Sequence, residues 1–337
     1  MIKQLVGLLS RPKPLPLPPT ITVTTPRVAV EMHWLPETAL PIPDWQRMGE
    51  VEQDGLEGEA VHNYWTSAAW SWLERLGEEL DGHYYIRQSG DFLLMSSLDD
   101  RAAELFLASC QRMLARIKRG LGTLADDGGW GKYVVVVFND LDSYYTYAAH
   151  YQPEGGEYAM SSGMFIQAGY GHFVMPQDAI GAMEPVIAHE LTHCLLTHLP
   201  IPAWLNEGLA VNTEHMLFPQ LAAPHAQLFF PHEIAAHHAA YWNADSIQMF
   251  WSGKSFLRAD DGNRLSYDLA QKITALAAKD ELAFRAFVRE AKMEDGGLSA
   301  EHHLGFPIAH LIEAVLGEGS WQPRPETWNE GVEGGQF

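Results

Sequence analysis

The sequence predicts an α+β fold, with mixed helices and strands in the N-terminal half and helices in the C-terminal half. Three observations carry this. A β-branched run, "KYVVVVF" at 132–138, lies among segments of helical spacing. Two stretches, "YYIRQSGDFLLMS" at 84–96 and "YAMSSGMFIQAGYGHFVMP" at 158–176, combine strand-forming residues with turn glycines. After about residue 215 the apolar residues recur mostly at helical spacing. Hydrophobic residues make up 47% of the 337 and charged residues 19%, so the chain can bury a sizeable core and is not of disordered composition.

The elements follow in order. Residues 1–55 read as a proline-rich extended arm, including "RPKPLPLPP" and an expected edge strand around "TITVTT", closed by an acidic, glycine-containing boundary loop at 50–58. The remainder, 56–337, reads as one domain: an α/β part to 198, a helical part from 199 to 320, and a loose tail at 321–337. Val61, Trp65, Ala68, Trp72, Leu76 and Leu80 mark a helix over 60–80 whose tryptophans belong to the core. A hairpin turning at Ser89-Gly90-Asp91 comes next. Asp99 or Asp100 caps a long helix through Lys118 that stops at Gly120. The run 132–138 is a buried strand, and Asp142 caps a short helix over 143–150. The 158–176 stretch reads as a second hairpin, whose part near 161–174 is the natural sheet edge for an extended ligand. Further on, Ser266 caps "YDLAQKITALAAK", Asp280 caps "ELAFRAFVREAKM", Ser299 opens a short helix, and 306–316 forms another before Gly317.

Charge and composition exclude several classes. A net charge of −21 argues against nucleic acid and against an anionic membrane surface. No run of about 18 apolar residues exists, so no transmembrane helix is expected. "MIKQLVGLLSRPK" is a poor signal peptide, since its apolar run breaks at Arg11 and no small-residue cleavage site follows. A cytoplasmic location is the default expectation. Cys110 and Cys194 form no CxxC pair and are expected to be buried free thiols.

The chemistry concentrates in "VIAHELTHCLLTHLPIPAWLNEGLAV", residues 186–211. His189 and His193 are four apart and share one face of a helix. Two imidazoles so spaced can both reach one Zn²⁺. Glu190 lies about 100° round the helix from His189, where a general base beside the metal must be. Pro185 suits the first helical position, and Pro200 and Pro202 end the helix. Histidine accounts for 16 of 337 residues, so the HExxH spacing needs a third ligand to be convincing. The extended form with histidine at 199 is excluded, because 196 and 199 are both leucine. His198 is one candidate, on a different part of the helix surface. Glu207 is better placed. Its helix starts near Pro202 after a very short turn, so it must lie against the first. Gly208 and Ala210 permit close helix approach.

HELTH followed by "PAWLNEGLA" resembles the gluzincin zinc metallopeptidases, in particular a short-spaced, peptidase-MA-like bacterial group. The matching residues are His189, Glu190, His193, Trp204, Glu207, Gly208 and Ala210. The resemblance extends weakly from "KYVVVVF" to "LGEGSW" and does not obviously cover 1–55. It implies a two-lobed zincin-like fold, with an N-terminal α/β lobe holding a small mixed sheet and the active-site helix, and a C-terminal helical lobe. It implies zinc at His189, His193 and Glu207, with Glu190 as general base in the hydrolysis of peptide or protein substrates. One position departs: the family often has an acidic partner for a histidine four residues after the glutamate ligand, and here that residue is Val211. Asn212 or Glu214 are the substitutes to hand. A catalytically weak module that keeps the fold to bind a protein partner is the alternative reading.

Amide hydrolysis also needs a donor for the developing oxyanion. The downstream candidates are His225, His232, His237, His238, Tyr241 and Tyr267. Tyr267 is favoured, since it opens a helix after a loop and its place resembles the family's tyrosine. "HEIAAHH" at 232–238 reads as a surface or cleft-lining segment. His302 and His303 are adjacent, so their side chains diverge and no role follows. Cys194 is expected behind the site.

Overall fold

The computed structural model describes residues 27–51, 56–80, 82–126, 128–151, 162–222 and 229–328. The fold is mixed α+β, with a small five-stranded mixed sheet. The strand around 20–25 and the end of the tail lie outside the described residues.

The chain enters over an isolated bridge between Trp34 and Pro43. It then forms α1 (Trp45–Val51) and α2 (Glu59–Glu79). The end of the arm is therefore helical, because Trp45 and Met48 find apolar cover against Trp65, Trp72 and their neighbours. Strands β1 (Tyr85–Ser89) and β2 (Phe92–Ser96) pair antiparallel across Gly90 and Asp91. Helix α3 (Asp100–Leu121) follows, with Asp99 accepting from the Ala102 N–H. It runs past Gly120 to Gly122, whose φ of 57° ends it. Next come β3 (Tyr133–Phe138) and α4 (Leu141–Tyr151). The cap here is Asp140, not Asp142, since its carboxylate takes both the N–H and the hydroxyl of Ser143. Strands β4 (Met164–Ile166) and β5 (His172–Pro176) make the second hairpin.

The sheet order is β1-β2-β3-β5-β4. The central three strands are parallel and the two edges antiparallel. Alternation divides β3 between two cores. Val134, Val136 and Phe138 face α2 and α4, while Val135 and Val137 face the core of α3 and the later helices. Buried on the first face, His172 bonds Tyr147 and the Tyr170 carbonyl, and burial pushes its imidazole down to about 4, so it is neutral.

Then follow α5 (Ile180–Leu196) and α6 (Ala203–Leu217). Helix α5 starts five residues before Pro185, which sits in its second turn and forfeits the bond to the Gly181 carbonyl. The helical half adds α7 (Pro231–Tyr241), α8 (Ile247–Trp251), α9 (Asp261–Ala277), α10 (Glu281–Glu290) and α11 (Ala309–Leu316). Helix α9 is capped by Asp260 rather than Ser266, whose hydroxyl lies inside the helix and donates to the Gly262 carbonyl. Asp280 caps α10 through the Ala283 N–H, as its position predicts. Ser299 lies within a 3-10 turn at Leu298–His303. The first residues of the tail are docked: Trp321 is buried, and the Trp328 indole donates to Gln248. Among the described residues no helix is long and apolar enough to cross a membrane.

Candidate metal centre

Helix α5 puts Ile187, Ala188, Leu191 and Leu195 into the core and leaves His189, Glu190 and His193 on its other side. The turn after it is short, and its Pro200 carbonyl accepts from the Met293 N–H. Trp204 then anchors the first turn of α6. It is fully buried among Phe250, Trp251 and Phe287, with its indole donating to the Gly296 carbonyl. With both helices fixed, Glu207 faces the two histidines.

Glu207 Oε2 lies 3.2 Å from His189 Nε2 and 3.4 Å from His193 Nε2. One ligand atom from each of the three residues lies within 4.8 Å of the others. The opposite ring nitrogens are also engaged. His189 Nδ1 donates to Glu214 Oε2 at 3.3 Å, and His193 Nδ1 donates to Asn206 Oδ1 at 3.0 Å. With the Nδ1 protons so used, both Nε2 atoms turn their lone pairs on a carboxylate oxygen. Acceptors facing an acceptor need a proton or a cation between them. Two imidazoles and a carboxylate are a donor set that fits zinc.

The charges tell the same story. Burial alone would lower the His189 imidazole, but bonds to Glu207 and Glu214 and the charge of Glu190 raise it to about 10. Burial likewise works against His193, and Glu207 overrides it upward. Burial would lift Glu207, yet the two histidines hold it well below the usual carboxylate range. The pocket thus selects positive charge at the point where the three atoms converge.

Glu190 belongs to the same cluster. One of its oxygens accepts from the Phe165 N–H of β4 at 2.8 Å. Burial raises its carboxyl, and the nearby His193 and His189 pull against that. Tyr267 on α9 has its ring 6.4 Å from that of His189 and is braced edge-on by Phe256 at 5.2 Å. Burial, with the charges of Glu207 and Glu190, raises its phenol, so it remains a proton donor.

The other sequence candidates fall elsewhere. His225 lies outside the described residues. His237 bonds Arg264, and His238 bonds Asp268 while accepting from the Trp242 indole. "HEIAAHH" is helical because Pro231 opens α7 and Glu233 folds back on the Phe230 N–H. His198 is exposed and outside the cluster. Cys194 is half-buried rather than fully buried, packs against the main core outside the converging ligand group, and also lines a groove on the Glu190 side of α5. His302 and His303 do not diverge. Their rings are 3.9 Å apart, and both turn to the exposed Glu290 carboxylate.

Asn212 bonds backbone carbonyls of Gly208 and Gln271, so it is Glu214 that meets the histidine. Asn206 went unnoticed in the sequence, although it directly precedes Glu207 and a carboxamide can orient an imidazole. Glu214→Ala is expected to weaken metal binding about ten- to a hundredfold. Competition against a chromophoric chelator measures this, and an unchanged affinity would remove Glu214 from the centre.

The chain matches no model of a known protein family, and no curated protein matches it.

Proposed function

We propose that the chain is a zinc-dependent peptidase of gluzincin type, with the two-lobed zincin-like fold that accompanies that chemistry. One observation carries the reading: His189 Nε2, His193 Nε2 and a Glu207 oxygen converge within 4.8 Å. Zinc held there would supply a Lewis acid that polarises a carbonyl and acidifies water.

The chain's own groups provide the rest. Glu190 takes a proton from the attacking water and returns it to the leaving amine. Burial raises its carboxyl, which brings the protonated form closer to neutral pH and makes it a better carrier. The Phe165 N–H fixes one carboxyl oxygen in place. Tyr267, kept protonated by its surroundings, offers a hydrogen bond to the oxyanion as it forms. The alternative, a module that keeps the site only to bind a protein partner, drew its support from Val211. Glu214 meets His189 in place of a residue at 211, which supports the enzyme reading over that alternative.

Metal content tests the proposal. Protein purified without added metal or chelator is expected to carry about one zinc per chain, and His193→Ala to lose it. A mixture of unmodified peptides should be cleaved by the zinc-loaded chain, spared after chelation, and cleaved again when zinc returns. A folded chain that takes up no zinc at micromolar concentration would sink the reading.

A further inference from the structure

A groove of about 600 Å³ adjoins the candidate centre. Phe165 joins the two. Its N–H donates to Glu190, while the residue also lines the groove. Cys194 and Thr197 line it as well, and they follow Glu190 by four and seven residues on one side of α5. The groove therefore runs along the side of the motif helix that carries the proposed base, and not along its buried face.

Its walls are built by glycine loops pressed onto aromatic rings. A Cβ on Gly131 would stand 2.4 Å from the Tyr170 hydroxyl and 3.1 Å from Trp65 Cβ. One on Gly169 would stand 2.2 Å from the Trp45 ring. Both glycines have positive φ, 86° and 62°, so neither the space nor the backbone admits a side chain. The Tyr170 hydroxyl is fixed by donating to the Lys132 carbonyl at 2.6 Å. Trp45 and Trp65 are largely buried behind these loops, whereas Trp130 is 54% exposed. An exposed tryptophan held between Gly129 and Gly131 offers a large apolar face to whatever enters.

We infer that this groove is the subsite that receives a large apolar or aromatic side chain of a polypeptide substrate, with Trp130 as a specificity-determining residue. The inference rests on the peptidase reading for its substrate class, and the location beside Glu190 supplies the link. The aromatic wall at Trp130, Tyr133 and Phe165 favours such side chains over small ones, while Gln46, His62, Asp91, Lys118 and Gln167 give the rest of the groove a polar lining. Pocket filling of this kind discriminates by about tenfold or more.

Two measurements separate this inference from the peptidase reading. In the first, hexapeptides with a central Phe or a central Ala are titrated by calorimetry into the zinc-loaded Glu190→Gln chain, whose turnover is too slow to consume them during the titration. The Phe peptide is expected to bind about tenfold tighter, and Trp130→Ala in the same background to remove most of that difference. In the second, the bonds that the unmodified chain cuts in a peptide mixture are identified by mass spectrometry. Large apolar residues should recur at one position near the cut, and Trp130→Ala should raise KM for those sites while cleavage at small-residue sites and zinc content hold. Selective binding without any cleavage by the unmodified chain would keep the subsite and overturn the peptidase. Cleavage with no apolar preference, or a Trp130→Ala effect equal at all sites, would overturn the subsite and keep the peptidase. Equal binding of the two hexapeptides would also overturn it.

Discussion

Glu190→Gln is expected to leave zinc bound and to lower peptide hydrolysis about a hundred- to ten-thousandfold. That corresponds to roughly 3–5 kcal/mol of barrier. The expectation follows from what glutamine keeps and what it loses. Its carboxamide oxygen can still accept the Phe165 N–H that holds Glu190 at 2.8 Å, so the local geometry survives. The proton acceptor does not, because an amide cannot take a proton at neutral pH. Glu190 is absent from the converging triad of His189, His193 and Glu207, so zinc content should not change. The measurements are elemental analysis and turnover on the same preparation. Turnover near that of the unmodified chain would remove Glu190 from the mechanism, and joint loss of zinc and turnover would make it a structural support instead.

Gly208→Ala is expected to destabilise the fold and to loosen the metal centre together. Helix propensity alone predicts the opposite, a gain of about 1 kcal/mol. The tertiary contact reverses the sign. A Cβ at 208 would stand 2.1 Å from Thr274 Oγ1 and 2.6 Å from the Ala270 carbonyl oxygen. A helix carbonyl cannot swing aside, so α6 and α9 must part. Overpacking of this kind costs about 1–3 kcal/mol, and at these distances the upper part of that range applies. The net loss of about 2 kcal/mol should lower Tm by about 3 °C. Glu207 is the neighbouring residue on α6 and Tyr267 lies on α9, so zinc affinity should fall with stability. A rise in Tm would show that the two helices have room to spare.

The close contact of Gly208 also marks a limit of the sequence. The motif glycine suggests close helix approach, with α5 as the obvious neighbour. The glycine in fact serves the α6–α9 contact, and Trp204 anchors α6 from another direction. The Asp260 cap shows a related limit. Asp260-Asp261-Gly262-Asn263 has the composition of a loop, yet Asp260 takes the Gly262 N–H and the helix begins there. Ser266, with the better cap chemistry for the apolar run that follows, lies inside it.

What the sequence determined by itself is what local periodicity controls. An i, i+4 spacing puts His189 and His193 on one helix face whatever surrounds it. The valine run reads as a buried strand, and Asp280 caps its helix through a bond reaching three residues on, while the choice of Asp99 over Asp100 as the other cap came from the structure. The tertiary structure alone decided which partners those faces meet. Glu214 reaches His189 from 25 residues away, Phe165 holds Glu190 from 25, and the groove draws its walls from α1, α2, the 128–133 loop and the β4–β5 turn. The physical reason is that such pairings depend on how the helices cross. That crossing is set by burying Trp204, Phe250, Phe287 and their neighbours in one core, and no short window of sequence contains that sum.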